Sequence, residues 1–258
     1  MKNSFDDALH SLTLSEDGSY TAYSKEYDEH YHSTKDGALK ESLLKHVLPA
    51  FSSCEKAELT ILDICYGLGF NTLTTLMHVY KNYPEKKIKI YSPELDEQLI
   101  KSLENFVYPK EFTPLREIIL ALSRDKVYED EKIYIEIYIG DAREYIKGFS
   151  EKFDIVYQDA FSPKTNPVLW TQEYFADIKH AIKPDGILTT YSVALASRLA
   201  LYNNGFRVYL NKGEEFRTAT VASLGELQNY EEVNMQHKIA CNPDKKALCD
   251  ADLGVDYS

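Results

Sequence analysis

The stretch Leu59–Thr75, LTILDICYGLGFNTLTT, decides the fold: an apolar strand, a glycine turn and a helix start follow one another without a gap. Leu59 to Ile64 are nearly all apolar and partly β-branched, the pattern of a strand covered on both faces in a parallel sheet. Gly67 and Gly69 then permit positive φ and close backbone approach. Asn71 is placed to cap a helix running through Thr72, Leu73, Leu76 and Val79, so free N–H groups face the crevice at the strand's carboxyl end. Such a crevice suits a nucleotide, although a plain tight turn uses the same residues.

Working outward, Lys87 to Pro93 (KIKIYSP) reads as the next strand and ends at Glu94, a carboxylate able to grip a ribose diol. Asp96 is placed to cap the helix that follows. A third strand, Lys132 to Ile139, alternates isoleucines and stops at Gly140-Asp141-Ala142, and a fourth, Phe153 to Tyr157, runs into Gln158-Asp159-Ala160-Phe161-Ser162-Pro163. Each acid alone is explained by a structural cap. Together the strand ends deliver a glycine turn, Glu94, Asp141 and Asp159 to one rim of one sheet, which points to a site.

The remaining elements frame that rim. Segments around Ser11–Leu14 and Ser19–Tyr23 are expected to form a small hairpin over it, in an N-terminal extension over residues 1–35. Asp36 is expected to cap an amphipathic helix whose stripe is Leu39, Leu43, Leu44, Val47, Leu48 and Phe51. Pro109 and Pro114 break the pattern into short helices before the third strand. A helix from about Thr171 to Ile182, a strand Ile187–Tyr191, a helix ending before Gly205 and strands Phe206–Leu210 and Thr218–Leu224 complete a domain over residues 36–227. The polar segment 228–258 is expected to be an extended or partly disordered tail.

Composition bounds the function. With 258 residues and 44% hydrophobic content, the chain suffices for one α/β domain with additions. It has no apolar run near the roughly 20 residues that span a bilayer, and its first residues lack a signal-peptide pattern, so a soluble cytoplasmic protein is expected. The four cysteines form no CxxC pair and are expected as reduced thiols, with no metal. The 29 Lys and Arg stand against 41 Asp and Glu, a net charge of −12 that disfavours nonspecific phosphate binding. An RNA partner then needs a local basic patch, for which Lys164, Arg198, Arg207, Lys212 and Arg217 are the candidates; scattered surface charge is the competing explanation.

These motifs resemble the class I S-adenosylmethionine-dependent methyltransferases and, at finer grain, the methyltransferase-domain family of the MnmC type, which modifies the tRNA wobble uridine. The resemblance rests on Asp17-Gly18-Ser19, Tyr31-His32-Ser33, the CYGLGFNT turn from Cys65 to Thr72, Asp159 to Phe175 (DAFSPKTNPVLWTQEYF), Lys183-Pro184-Asp185-Gly186 and Asn204-Gly205-Phe206. It implies a Rossmann-like class I fold with a mostly parallel, seven-stranded sheet and helices on both faces. It further implies an S-adenosyl-L-methionine site made by Tyr20, Tyr31, Cys65, Tyr66, Gly67, Gly69, Asn71, Glu94, Asp141, Ala142 and Asp159. Cys65 replaces the first glycine of the family's turn and is expected at negative φ.

The same resemblance implies conversion of 5-aminomethyl(-2-thio)uridine to its methylaminomethyl form, without the flavin-dependent oxidase domain of larger relatives. Asp159 is expected to orient the amine and receive its proton. Phe161, Lys164, Trp170 and Arg198 are expected to contact the tRNA, with Trp170 either stacking on a flipped base or anchoring the next helix. His32 is expected to be structural. Two other classes stay open: a small-amine methyl- or aminopropyltransferase similar to spermidine synthase, suggested by Asp28-Glu29-His30-Tyr31-His32 and the acidic charge, and a binding-only relative, suggested by Cys65.

Overall fold

A computed structural model describes residue 5 and residues 9–255; residues 1–4, 6–8 and 256–258 of the two expected terminal segments lie outside it. The elements are, in chain order, strands β1 (His10–Leu14), β2 (Tyr20–Ser24) and β3 (Glu29–His30), then helix α1 (Ala38–Glu41), a π-helical segment (Ser42–Val47) and α2 (Leu48–Phe51). Next come β4 (Glu58–Ile64), α3 (Phe70–Asn82), β5 (Lys87–Glu94), α4 (Glu97–Ser102), α5 (Arg116–Asp125), β6 (Val127–Glu129), β7 (Ile133–Ile139), α6 (Ala142–Ile146) and β8 (Phe153–Gln158). The chain continues with α7 (Gln172–Ala181), β9 (Ile182–Thr190), α8 (Leu195–Asn203), β10 (Arg207–Asn211), β11 (Ala219–Ser223), β12 (Glu231–Glu232), α9 (Met235–Cys241) and α10 (Asp250–Leu253).

The main sheet has nine strands in the order β12-β10-β11-β9-β8-β4-β5-β7-β6. Strands β7, β5, β4, β8 and β9 are parallel, whereas β11 runs antiparallel to both β9 and β10. The expected seven strands form the middle; the additions are two edge strands, β6 and β12, of three and two residues, too short to carry a period in the sequence. Because β4 leads on one side to β5 and on the other to β8, the strand order reverses there, and a crevice opens at their carboxyl ends.

Apolar side chains alternate between two cores along β4. Leu59 and Ile61 pack with α3, α4, α5 and the segment 38–51, while Leu62 and Ile64 pack with α6, α7 and α8. A buried sheet between two helical layers follows directly, which is why β4 and β8 need apolar residues on both faces.

Three expectations fail locally. Asp36 does not cap α1; Gly37 holds that place at φ 86, and Asp36 pairs with buried Lys45 at 2.7 Å. The capping comes from the N-terminal sheet instead. Asp17 Oδ2 accepts from Lys40 N (3.2 Å) and Ser19 Oγ accepts from Ala38 N (3.1 Å), so a Cβ on Gly37 would lie 1.9 Å from Asp17 Cγ. Asn71 does not cap α3, since Gly69 occupies that position at φ 75. The described part of segment 228–258 is not an extended tail. Ala247 is buried, Gln172 N donates to Leu248 O (2.7 Å), and Arg143 grips Asp250 through two bonds of 2.6 Å.

Candidate active site

The crevice at the β4–β8 switch is a cleft of about 1280 Å³, larger than the roughly 300–1,000 Å³ that holds one small ligand. It has room for a cofactor and an acceptor side by side. Its base is the glycine turn, tied to β5 by Tyr66 N donating to Pro93 O (3.1 Å). A Cβ at Gly67 would press on Tyr31 at 3.2 Å, and one at Gly69 would collide with the Tyr66 ring at 2.6–2.8 Å. Cys65 takes φ 62, not the expected negative value, so a thiol side chain carries the left-handed geometry usually left to glycine. Burial, reinforced by Glu94 and Asp159, holds that thiol well above its ordinary pKa.

Glu94 closes the turn from the next strand. Its Oε2 accepts from Gly67 N (2.9 Å) and its Oε1 from Leu95 N (2.8 Å) and Asp96 N (2.9 Å). Three of roughly four lone-pair directions are thus used. Burial still raises the Glu94 pKa, with those backbone N–H groups working against it. Asp141 caps α6 through Arg143 N (2.7 Å) and lines the cleft together with Ala142. Leu95, 66% exposed, presents an apolar surface on the same rim.

On the far side, Asp159 follows the end of β8. Asn71 Nδ2 donates to its Oδ2 (2.8 Å), and His46 Nε2 lies 3.4 Å from Oδ1, an ion-pair distance longer than a well-made hydrogen bond. Burial raises an acid's pKa, but His46, His32 and Asn71 outweigh it and hold Asp159 below the usual carboxylate range. His32 is buried, and burial lowers its own pKa; it lines the cleft with its Nδ1 3.4 Å from Thr21 Oγ1.

The loop after Asp159 is fastened at four points. Tyr191 Oη donates to Ala160 O (2.9 Å), Ser162 Oγ to Glu29 Oε2 (2.9 Å) and Trp170 Nε1 to Phe161 O (2.8 Å), while Tyr27 stacks on Phe161 at 4.7 Å. The distinctive DAFSPKTNPVLW run therefore shapes one wall of the cleft. Of the expected substrate contacts, only Phe161 faces that space. Trp170 is 1% exposed and anchors the loop, so base stacking by it is corrected. Arg198 is half-buried behind the wall, its Nε donating to Thr220 Oγ1 (3.0 Å), and it does not line the cleft. Tyr20 packs on the core away from the cleft, which removes it from the expected cofactor contacts.

Among the basic candidates, Arg207 and Lys212 are tied to Glu232 and Glu231 at 2.6 Å. Lys164, on the Asp159 loop, and Arg217, on the cleft edge, have no carboxylate within ion-pair distance among the described residues, and neither has Lys35 on the same edge. Sequence reasoning missed His46, Glu29, Tyr27 and Tyr191. Only the DEHYH run around Glu29 carried a signal, and it was read for a different chemistry.

The strand order, the glycine turn and the acids on one rim define a class I S-adenosyl-L-methionine-dependent methyltransferase. Residues 111–224 match the model of a family described as S-adenosyl-L-methionine-dependent methyltransferase. Over 97% of its length the chain superposes on the MnmC2 crystal structure from Aquifex aeolicus, covering 82% of that protein with a TM-score of 0.82 and 31% identity. The chain belongs to this MnmC-type methyltransferase family.

An uncharacterized protein of Methanocaldococcus jannaschii is 32% identical over 200 residues, and the Azoarcus bifunctional protein MnmC of tRNA 5-methylaminomethyl-2-thiouridine biosynthesis is 29% identical over 214. These alignments take in 76% and 77% of this chain but only 54% and 33% of those proteins, so the chain spans about half and about a third of their lengths. Spermidine synthase of Thermotoga maritima, at 18% identity and a TM-score of 0.50 over 84% of this chain and 73% of that one, shares the fold alone. No helix among the described residues is long and apolar enough to cross a membrane.

The cleft fits the cofactor. A molecule carrying a ribose diol and positive charge would meet the turn at Gly67, where no side chain stands, the Glu94 carboxylate, and the acids Asp141 and Asp159; Gly69, expected among the cofactor contacts, faces the Tyr66 ring and does not line the cleft.

Proposed function

We propose that the cleft methylates the exocyclic amine of 5-aminomethyl(-2-thio)uridine at the tRNA wobble position. The observation that carries this reading is Asp159, a buried carboxylate held ionised at the end of β8, beside the glycine turn and under the Phe161–Tyr27 wall. Gly67, Glu94, Asp141 and Ala142 hold the nucleoside side of the cofactor, while Tyr31 and Tyr66 pack the turn beneath it. When bound, S-adenosyl-L-methionine supplies an electrophilic methyl group on a sulfonium.

An alkyl amine with a pKa near 10.4 arrives as ammonium and must lose a proton before its nitrogen can attack. Asp159 first pairs with that ammonium and orients it; because a carboxylate held below its usual range is a weak base, the proton passes to it, directly or through a water, only as the ammonium is desolvated, which leaves a neutral nitrogen lone pair. The Tyr191 hydroxyl gives its proton to Ala160 O, so its oxygen remains an acceptor for a second amine hydrogen. Phe161 offers a ring face to the uracil, and Lys35, Lys164 and Arg217 offer uncompensated charge to the neighbouring phosphates.

The test pairs the full chain with tRNA from a strain lacking this gene and reads methyl incorporation by nucleoside mass spectrometry. Asp159→Asn is expected to lose about a hundredfold or more in turnover while S-adenosyl-L-methionine affinity stays within a few fold. Methylation of a free polyamine with none of tRNA would move the acceptor to the small-amine class.

A further inference from the structure

His46 is wholly buried, yet none of its chemistry is needed for packing. Its ring stands between Asp159 and β9. Nδ1 lies 3.0 Å from Thr189 Oγ1, a residue 143 positions later, and Nε2 lies 3.4 Å from Asp159 Oδ1 with no other polar partner among the described residues. The other Asp159 oxygen is held by Asn71. His46 also sits in the π-helical segment Ser42–Val47, where the wider turn shifts side-chain directions relative to an α-helix. Such segments recur at functional sites.

We propose that His46 is the positioning residue for Asp159: its Nε2–H fixes the orientation and charge of the carboxylate that receives the acceptor amine, and Thr189 sets its tautomer. This rests on the assignment of Asp159 made above. In the neutral imidazole, Nδ1 accepts from the Thr189 hydroxyl, which leaves the single N–H on Nε2 facing Oδ1. Oδ1 is thereby held by His46 and Oδ2 by Asn71, which leaves the remaining lone pairs aimed into the cleft.

The groups facing this pair are His32, Asp63, Cys65, Glu41, Tyr157 and Tyr191. Three of them, Asp63, Glu41 and Cys65, can only add negative charge, against which His46, His32 and Asn71 act. Of these groups His46 is the one whose ring nitrogen lies within ion-pair distance of Asp159.

Two measurements test the proposal, and only one of them needs the acceptor. Imidazole nitrogen NMR of the full chain is expected to show His46 protonated at Nε2, and to show that signature change in Asp159→Asn; an imidazole protonated at Nδ1 alone overturns the proposal whatever the substrate proves to be. In methyl transfer, His46→Ala is expected to lower kcat by roughly 10- to 100-fold, the size found for outer-shell partners of metal ligands, with little change in KM. The acid limb of its pH profile moves to higher pH.

His46→Gln, which keeps an N–H donor, is expected to recover most of that loss, and Thr189→Val to fall between. Should His46→Ala fail to fold by thermal melting, Thr189→Val and His46→Gln carry the kinetic test. A His46→Ala enzyme within twofold of the parent, or a His46→Gln enzyme no better than it, sinks the positioning role. If instead Asp159→Asn is fully active while the NMR signature holds, the error lies in the assignment of Asp159.

Discussion

Asp63 is an acid built into the middle of the sheet, 1% exposed. Burial pushes its carboxyl up to about 7, although the Thr72 hydroxyl (2.8 Å) and Asn71 pull the other way. An acid whose pKa is raised on folding contributes stability that is complete below its unfolded value of about 3.9 and lost as the pH rises through its folded value. Stability should therefore fall between about pH 4 and pH 8, and Asp63→Asn should flatten that slope and gain about 1–3 kcal/mol at pH 8. Thermal melts of both proteins at pH 5 and pH 8 check this; parallel curves would show that Asp63 stays ionised. That Gly67, Glu94, Asp141 and Asp159 share one cleft was legible because each stands at or just after the carboxyl end of a strand in a local pattern. Asn71 was misread as a cap because its partners, Asp63 and Asp159, lie on other strands. The sign of φ at Cys65 was out of reach for a related reason: the turn's geometry is imposed by its ties to β5, not by the residue itself.

At the scale of elements, the parallel strands and their helices could be read because periodicity and punctuation agreed along β4, β5, β7 and β8. The segment after β12 could not, since its stability comes from docking, with little apolar pattern of its own. Arg143, 2% exposed, begins next to Ala142 on the cleft rim and ends on Asp250 of α10. Removing one partner of a buried ion pair strands the other charge, at a cost of about 3–5 kcal/mol. Since Asp250 is partly exposed, Asp250→Ala should cost nearer 2–3 kcal/mol by the same reasoning. It should also weaken S-adenosyl-L-methionine binding, because α6 loses the strut behind Asp141. Denaturant titration and calorimetry read the two effects; an unchanged midpoint would mean that α10 contributes nothing to the fold. The π-helical segment was equally hidden, as its stripe of leucines and valine fits an ordinary α-helix.

Across the whole molecule, a net charge of −12 leaves a place for the proposed tRNA substrate only where cations have no carboxylate partner among the described residues. Lys35 and Arg217 line the cleft and Lys164 stands on the loop that walls it, whereas Arg207 and Lys212 are neutralised by glutamates. With about three phosphate contacts, the logarithmic salt dependence of tRNA binding should have a slope of about 2–3. Lys164→Glu and Arg217→Glu should each lower that slope by about one and leave cofactor affinity intact, as filter binding over a salt series would show. An unchanged slope in both variants would place the phosphates elsewhere. The N-terminal sheet closes over this same cleft: Glu29 holds Ser162, 133 residues further on, and Tyr27 stacks on Phe161. On the ribosome β1, β2 and β3 leave the exit tunnel well before their partner loop has been translated. At about 5–20 residues per second they wait roughly 7 to 27 seconds with Tyr27 and Tyr31 uncovered. The lid of the cleft is thus made well before the wall it packs against and settles only once that wall exists, and nascent chains stalled before Phe161 should be the ones that chaperones hold.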